Sequence, residues 1–233
     1  MTPSHRPDHT SPLPFADRHE AGVELASRLA EYKGREDLVI LGLPRGGVPV
    51  AFEVARVLEA PLDVFVVRKL GMPGDPEFAI GAIASGGVRI LREDVIRAQQ
   101  IPRAVIEAIA QQEMAELARR ELDYRQGRPL TPLRGRTVIL VDDGLATGSS
   151  MRAAVEAVRL YDPVRVVVAV PVGAPTACEE LAALTDDTIC ARMPESFSAV
   201  GRWYRDFSQT TDAEVRSLLA EHASRVLPGN PPR

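Results

Sequence analysis

Four largely apolar runs divide the chain into repeating strand-and-helix segments. They cover 38–43 (LVILGL), 62–67 (LDVFVV), 137–141 (TVILV) and 164–170 (VRVVVAV), and a short fifth run covers 188–190. A continuous apolar run is typical of a strand covered on both faces, and helical spacing of apolar residues follows at 48–58 and 151–161. The alternation predicts an α/β fold with a parallel sheet flanked by helices, in which ligands bind at the carboxyl ends of the strands.

Other segments carry helix and hairpin signals. Asp17 and Glu20 have the spacing of a capping box and predict the start of a helix. Its expected inward residues are Val23, Leu25, Ala26 and Leu29. The further predicted elements are a hairpin over 78–91 that turns at Gly86 and Gly87, a long helix over 102–126, and a last helix capped by Thr211 or Asp212 that reaches His222.

The two ends of the chain differ in composition from the rest. Residues 1–14 are rich in proline, serine and threonine, and 226–233 read VLPGNPPR, so both are predicted to be disordered tails. One domain over 15–225 remains.

Composition narrows the class of protein. With 233 residues, 45% hydrophobic and 26% charged, the chain can bury a real core, which excludes disorder as a whole. A formal net charge of −4 gives no global attraction to nucleic acid, and no apolar stretch predicts a membrane span or a signal peptide. We therefore expect a cytoplasmic protein without nucleic-acid or membrane partners. Cys178 and Cys190 lack CxxC spacing, so they are predicted to be buried, reduced thiols.

The segment 138–150, VILVDDGLATGSS, carries the clearest chemical signal. A predicted strand ends in Asp142 and Asp143, and a loop rich in glycine and hydroxyl residues leads into a helix. Backbone N–H groups at such a helix start bind phosphate, and adjacent carboxylates accept hydrogen bonds from sugar hydroxyls. The pattern therefore suits ribose 5-phosphate. It does not match a P-loop, the GxGxxG fingerprint or the GxSxG nucleophile elbow.

This segment resembles the phosphoribosyl diphosphate (PRPP) motif of the type I phosphoribosyltransferases, and the order of elements is similar across 18–222. The resemblance implies a hood built from parts of 78–128 and 192–212, a homodimer, and Mg²⁺-dependent transfer of the phosphoribosyl group to a nucleobase-like acceptor with release of diphosphate. It implies that Asp142 and Asp143 hold the ribose hydroxyls and the metal. The residues implied to wrap the 5-phosphate are Ala146, Thr147, Gly148, Ser149 and Ser150.

The sequence PRGG closes the first strand. Gly46 and Gly47 allow the backbone to approach an anion, and Arg45 adds a positive charge. In the family this position is the diphosphate-binding loop. A tight turn with a solvated arginine is the alternative.

The segment RKLGMPGDPE over 68–77 resembles the flexible loop of adenine phosphoribosyltransferase. The resemblance implies that Arg68 and Lys69 contact the polyanion and that the loop closes over it. Ala146 stands where the 6-oxopurine enzymes carry an acid, so Glu77 is our hypothesis for proton transfer. A solvated charge pair remains the alternative.

Aromatic residues concentrate near the C-terminus, in AVGRWYRDF. Trp203 and Tyr204 are candidates for stacking on the base, and Asp206 for contacting a metal or a base amino group. Closure of an ordinary core is the alternative for the aromatic residues.

Two rival functions remain open at this point. A catalytically weak protein of the same fold that binds PRPP or a nucleotide as a regulator fits the same motifs. A phospho-acceptor receiver domain fits poorly, because its acidic pair would lie near the N-terminus. The sequence does not identify the acceptor base.

Overall fold

The computed structural model describes residues 13–72 and 74–226, without the side chains of Pro76 and Glu77. Most of the two predicted tails, 1–12 and 227–233, therefore lies outside the described residues. Phe15 already belongs to the domain, because it is buried and its backbone pairs with Tyr204.

Strands and helices alternate along the chain as the apolar pattern predicted. The strands are β1 Leu38–Gly42, β2 Leu62–Val64, β3 Val67–Met72, β4 Asp75–Ala84, β5 Val88–Leu91, β6 Thr137–Val141, β7 Arg165–Val172 and β8 Asp187–Arg192. The helices are α1 Arg18–Arg28, α2 Gly47–Leu58, α3 Glu93–Ala98, α4 Arg103–Arg125, α5 Ser149–Arg159, α6 Pro175–Ala182 and α7 Asp212–Val226.

The main sheet has five parallel strands in the order β2-β1-β6-β7-β8. Its central strands β1, β6 and β7 are almost wholly buried, because helices cover both faces. The predicted fold class, a parallel sheet flanked by helices with a smaller hood, is confirmed. No helix within the described ranges is both long enough and apolar enough to span a lipid bilayer.

A second, antiparallel sheet of β3, β4 and β5, in that order, stands beside the main one; we call it the hood sheet. Its β4–β5 turn contains Gly86 and Gly87, both with positive φ, as the predicted hairpin requires. The segment 68–77, expected to be a loop, instead lies mostly in β3 and β4, whose antiparallel pairing satisfies its backbone hydrogen bonds.

The two faces of the hood sheet pack against different helices. Leu70 and Ile83 belong to a core cluster with α4 residues such as Leu117. Val67 and Ile90 pack against a cluster that contains the inner face of α5. The sheet is therefore a wall between α4 and α5, and successive residues of β3 face opposite sides.

In the first helix, α1, the predicted cap and most of the predicted inward residues agree with the structure. Asp17 accepts a hydrogen bond from the Glu20 backbone N–H at 2.9 Å, so the predicted cap is confirmed. Leu25, Ala26 and Leu29 are buried, but the prediction for Val23 was wrong, since its side chain is 42% exposed. Position 23 lies outside the helical stripe formed by 22, 25, 26 and 29.

The prediction of two reduced cysteines was also wrong. Cys178 in α6 and Cys190 in β8 form a disulfide, with their Cα atoms 6.6 Å apart. The turn between α6 and β8 folds the strand back along the helix, which brings together two residues 12 positions apart. A search for CxxC spacing does not detect a pair formed in this way.

Candidate active site

Two loops emerge side by side from the carboxyl ends of neighbouring strands. Strands β1 and β6 are parallel and in register, with Gly42 opposite Val141. The loop after β1 contains the PRGG sequence and the loop after β6 contains the acidic pair. A Cβ atom added at Gly46 would collide with the Asp143 carboxylate, and one at Gly47 would lie 2.7 Å from the Val141 carbonyl oxygen. Both glycines are therefore needed for the close approach of the loops.

Asp143 is held by groups from two distant parts of the chain. Arg18, the first residue of α1, directs Nε and Nη2 at Oδ2 of Asp143, each at 2.9 Å. The Tyr204 hydroxyl donates to the Asp143 carbonyl oxygen at 2.5 Å. Arg18 also donates to the Ser208 carbonyl at 2.8 Å, which ties the segment after Tyr204 to the acid.

Asp142 lies deeper and has fewer partners. Its Oδ1 accepts the Asp143 backbone N–H at 2.8 Å. Burial raises the pKa of the Asp142 carboxyl well above its usual range, and the adjacent Asp143 charge raises it further. Burial also raises the pKa of Asp143, while Arg18 opposes that shift. The pair is a concentrated acceptor site that a cation or hydroxyl donors would stabilise.

The loop 146–150 has the form of an anion cradle. Gly148 has φ 70°, a left-handed conformation that turns the chain into α5, which begins at Ser149. The Thr147 and Ser149 hydroxyls lie 3.0 Å apart on the exposed side. Within the described part of the chain, the backbone N–H groups of Thr147, Gly148 and Ser150 make no hydrogen bond. Free N–H groups at a helix start attract anions.

The base of this loop is fixed to the next strand. The Leu145 N–H donates to Val172 at 2.9 Å, and the Ala174 N–H donates back to Leu145 at 2.8 Å. Leu145 and Gly173 form a parallel bridge beyond the ends of β6 and β7. Both sulfur atoms of the disulfide lie close to Gly173.

Arg45 follows a cis Pro44–Arg45 peptide bond and directly precedes Gly46, which packs against Asp143. Its Nη1 is 4.0 Å from Oδ1 of Asp212 on α7, and its side chain is 32% exposed. A long contact of this kind is weak, so the guanidinium can exchange it for an anionic ligand.

The predicted basic pair is divided by the alternation of β3. Arg68 faces α4, where its Nε and Nη2 lie 2.7 and 2.6 Å from Oε2 of Glu113. Lys69 faces the other way, is exposed, and lines a cleft that it shares with Ser149. Only Lys69 of the pair therefore lies on the side of the phosphate-type loop. Glu77 lies in β4, and its side chain is outside the described residues.

The aromatic segment contributes Tyr204, which packs in the core and contacts Asp143. Tyr204 is 5% exposed, and its ring packs 5.5 Å from that of Phe15 and 5.1 Å from that of Phe207. Trp203 is half-buried, and Asp206 is exposed, with hydrogen bonds from Ser208 lowering its pKa. Tyr204 is thus a core residue that supports Asp143 and has no ring face open to a base.

Arg18 is the site residue that the sequence analysis missed. It lies 125 positions from Asp143, at the start of α1. The sequence signal of that helix is its capping residue, Asp17, and not Arg18. No local pattern marks such an arginine, since its partner is fixed only when α1 packs beside the sheet.

Comparison with known proteins places the chain in a family. The model of the phosphoribosyl transferase domain matches residues 18–200. The chain belongs to this family. The resemblance to type I phosphoribosyltransferases inferred from VILVDDGLATGSS is therefore confirmed.

Relatives of this phosphoribosyl transferase domain cover most of the chain. "Putative phosphoribosyl transferase Rv0571c" of Mycobacterium tuberculosis is 48% identical over 205 residues, which are 88% of this chain and 46% of the relative. "Bifunctional protein PyrR" of Clostridium novyi is 30% identical over 126 residues, 54% of this chain and 51% of the relative. The chain thus spans about half the length of the curated relatives it matches.

A solved structure shares the whole architecture. The crystal structure of TT1426 from Thermus thermophilus is 46% identical and superposes with a TM-score of 0.80. The match covers 90% of this chain and 99% of that one. The hood sheet and the main sheet therefore belong to one recurring fold.

Proposed function

We propose that the protein transfers the phosphoribosyl group of PRPP to a ring nitrogen of a nucleobase-like acceptor and releases diphosphate. The observation that carries this proposal is the contact between the two strand-end loops. It sets the half-buried acid pair beside a cradle of N–H groups at 146–150, three of which have no partner among the described residues, and beside the PRGG backbone. Phosphate, diol and diphosphate groups of one substrate would each meet a complementary surface.

The 5-phosphate is assigned to the loop from Ala146 to Ser150, where N–H groups and the Thr147 and Ser149 hydroxyls donate. The ribose hydroxyls are assigned to Asp142 and Asp143, which accept hydrogen bonds. The diphosphate is assigned to Arg45, the Gly46 amide and Lys69, because these supply positive charge or a donor. The Gly47 N–H already donates to the Leu43 carbonyl oxygen at 3.0 Å, so Gly47 contributes only the close approach of the backbone.

In the reaction, the C1–O bond to diphosphate breaks and its electron pair leaves with the diphosphate. The ring nitrogen of the acceptor supplies the pair for the new C1–N bond and then loses a proton, for which Glu77 is the proposed acceptor. Asp142 and Asp143 would lie near the positive charge that develops on the sugar, which favours the transition state. Positioning and charge stabilisation do the work, without a covalent intermediate.

Mg²⁺ is the proposed cofactor, and the donor set fits it. Mg²⁺ prefers oxygen ligands, and Asp142 and Asp143 supply carboxylate oxygens. No group of three or more metal-ligating side chains occurs among the described residues, so the remaining ligands would come from substrate and water. When bound, the ion would neutralise charge on the diphosphate.

A catalytically weak PRPP-binding regulator is the second candidate. The contact that favours it is the hydrogen-bonded ion pair between Arg18 and Asp143, which occupies Oδ2 of one of the two acids. Such a protein would bind PRPP through the same loops and release no diphosphate.

The test is PRPP binding by calorimetry with Mg²⁺, together with diphosphate release over a panel of nucleobases. We expect Asp142→Asn and Asp143→Asn to lower turnover by about 100-fold, the scale of losing one electrostatic group at a reacting centre. The matched control is Asp162→Asn, whose exposed carboxylate pairs, among the described side chains, only with the exposed Arg134.

Three outcomes have distinct meanings. Diphosphate release that depends on both acids and not on Asp162 supports the transferase. PRPP binding with no release on any base supports the regulator. Absence of PRPP binding overturns both.

A further inference from the structure

A second cleft, of about 470 Å³, lies beside the disulfide between Cys178 and Cys190. We call it the disulfide cleft. Both cysteines line it, and so does Met193, whose side chain is 55% exposed. A cleft of this volume is large enough to admit a small thiol or a protein loop that carries one. The disulfide is therefore open to attack from solvent.

The two sulfur atoms differ in accessibility. Cys178, in α6, is 4% exposed. Cys190 lies in β8, the edge strand of the main sheet, and is only half-buried. Thiol–disulfide exchange depends on access to the attacked sulfur, and exposed disulfides are the labile ones. Cys190 is thus the sulfur that an incoming thiolate reaches first.

Helix α6, which carries Cys178, also supports the turn of the anion cradle. A Cβ atom added at Gly148 would lie 3.7 Å from Cβ of Ala177 and 3.7 Å from Cδ1 of Leu181. Ala177 and Leu181 are both buried, and they share one face of α6 because they are four residues apart. The left-handed turn of the cradle therefore rests on the helix that the disulfide holds.

A second connection runs through the backbone. The Cys178 N–H donates to the Ala174 carbonyl oxygen at 3.0 Å, and the Ala174 N–H donates to Leu145 at 2.8 Å. The Gly173 N–H donates to the Arg192 carbonyl oxygen at the end of β8, at 3.0 Å. Gly173 also lies against both sulfur atoms. These two residues therefore join the cross-linked elements to the base of the cradle.

Helix α6 depends on its tertiary contacts. It has 8 residues, and a helix of that length is marginal in water on its own. Its ion pair with α5, between Glu180 and Arg152, is exposed and therefore weak. The disulfide is the covalent link between α6 and β8. Breaking it is expected to loosen α6, and with it the turn that α6 supports.

We propose that the Cys178–Cys190 disulfide is a site of thiol–disulfide exchange with a dithiol, and that its reduction weakens phosphate binding in the cradle at 146–150. The inference goes beyond the transfer reaction, but it rests on the proposed function for the identity of the ligand, PRPP. The exchange chemistry itself is independent of that assignment.

The exchange has two balanced steps. A thiolate of the dithiol attacks Sγ of Cys190, the S–S bond breaks, and its electron pair leaves on Cys178, which takes up a proton. The second thiolate of the reductant then attacks the mixed disulfide and releases Cys190 as a thiol. The protein gains two electrons and two protons, and the dithiol is oxidised to its own disulfide.

The test measures PRPP binding by calorimetry, with Mg²⁺ present, on the oxidised and the reduced full chain. Thiol titration establishes the redox state, and circular dichroism establishes a temperature at which both forms are folded. We expect the dissociation constant of the reduced form to be about 10-fold higher, which corresponds to ordering about one residue of backbone on binding.

The matched control is the double variant Cys178→Ala with Cys190→Ala. Its affinity for PRPP is expected to equal that of the reduced protein and to be the same with and without reductant. A reductant effect on this variant would show that the reductant acts elsewhere, which overturns the proposal. Where the variant does not fold, the oxidised and reduced forms of the unmodified chain carry the comparison by themselves.

Exchange is followed separately on the folded protein, with reduced glutathione and with a CxxC protein dithiol as the two reductants. Alkylation and mass spectrometry identify the reduced cysteines. Reduction by either one supports the site, and the faster of the two identifies the source of the thiol. A glutathione adduct on Cys190 supports the order of attack, and one on Cys178 overturns it. Reduction that occurs only in denaturant overturns the site.

The remaining outcomes separate this inference from the proposed function. If the oxidised protein binds PRPP and the folded, reduced protein binds it equally, the redox inference alone fails. If the reduced chain has no folded population, the disulfide is structural and the inference fails as well. If the oxidised protein does not bind PRPP, the transferase proposal fails, whatever the thiols do.

Discussion

At the scale of single residues, Asp143 shows how the structure positions one acid of the candidate site. Its carboxylate contacts Arg18, its carbonyl accepts the Tyr204 hydroxyl, and Gly46 lies against its Oδ2. Each neighbour comes from a distant part of the chain. Substitution of any of these three neighbours is therefore expected to displace the Asp143 carboxylate.

Gly46→Ala is expected to damage the site. The added Cβ would collide with the Asp143 carboxylate, so either the acid or the PRGG backbone must shift. We expect PRPP affinity to fall at least about 10-fold, with a stability loss of about 1–3 kcal/mol, typical of overpacking. Calorimetry and urea unfolding measure the two effects. Unchanged affinity in a folded variant would show that the two loops do not act together.

The sequence revealed the residues that lie in a local motif and missed those that act across the fold. Asp142, Asp143 and the 146–150 loop follow the same strand within a few residues, so the sequence alone shows that they lie close together. Arg18 depends on how α1 packs, and the sequence could not show which residue of the Arg68–Lys69 pair faces the cleft without the register of β3. Tyr204 was placed among base-stacking candidates because aromatic content does not distinguish a core from a hood.

At the scale of elements, apolar runs predicted the strands because burial on both faces requires them. The predicted bounds of β6 match the structure, and those of β1 differ by one residue. The strand order β2-β1-β6-β7-β8 and the strand character of 68–77 could not be read in the same way. Both features depend on which segments pair with each other, and the composition of a single segment does not show its pairing partner.

The disulfide gives a prediction for α6 and β8. Cross-linking a loop of this size restricts the unfolded chain and is worth about 3 kcal/mol. Reductant, or Cys190→Ser, should therefore lower the melting temperature, whereas the double variant Cys178→Ser with Cys190→Ser should not respond to reductant. Thermal unfolding with and without dithiothreitol measures this. Two free thiols in the purified, unreduced protein would contradict the pairing.

Helix α7 carries a pH-dependent contribution to stability. His222 is 4% exposed, its Nε2 lies 2.9 Å from the Ala60 carbonyl oxygen, and its Nδ1 has no partner among the described residues. Burial lowers the pKa of His222, and Arg225 on the same helix lowers it further. The unfolded chain, with a histidine pKa of about 6.5, therefore takes up the proton first, so stability falls as the pH drops through that value toward the lowered folded pKa.

His222→Gln should make the free energy of unfolding less dependent on pH between about 7 and 5, because glutamine can donate to Ala60 and does not titrate. Urea unfolding of both proteins at several pH values in this range measures the slope. Identical slopes would show that another group is responsible.

At the scale of the whole molecule, ligand binding and folding are linked. The proposed PRPP site, built from the loops that follow β1 and β6, exists only in the folded chain. PRPP with Mg²⁺ at about 100 times its dissociation constant should therefore add about 2.7 kcal/mol to the free energy of unfolding. Denaturant titration measures it, and Asp142→Asn should abolish most of the gain. A stabilisation that persists in this variant would place the PRPP site elsewhere.

The homodimer implied by the family resemblance stays a prediction, as does the division of the chain into domain and tails. The curated relatives that match are about twice as long as the matched region, so their further activities are not carried over to this chain.

The bridge between Leu145 and Gly173 extends hydrogen bonding of the main sheet past the ends of β6 and β7, with the sulfur atoms of the cross-link against its far side. The floor of the anion cradle thus shares the rigidity of the sheet, although the cradle itself is a loop. The base of the loop loses its conformational entropy during folding, so binding of a phosphoryl group has to order little additional backbone there. Association at this end of the site should then be limited by diffusion and the shedding of water, with no slow rearrangement of the protein beforehand.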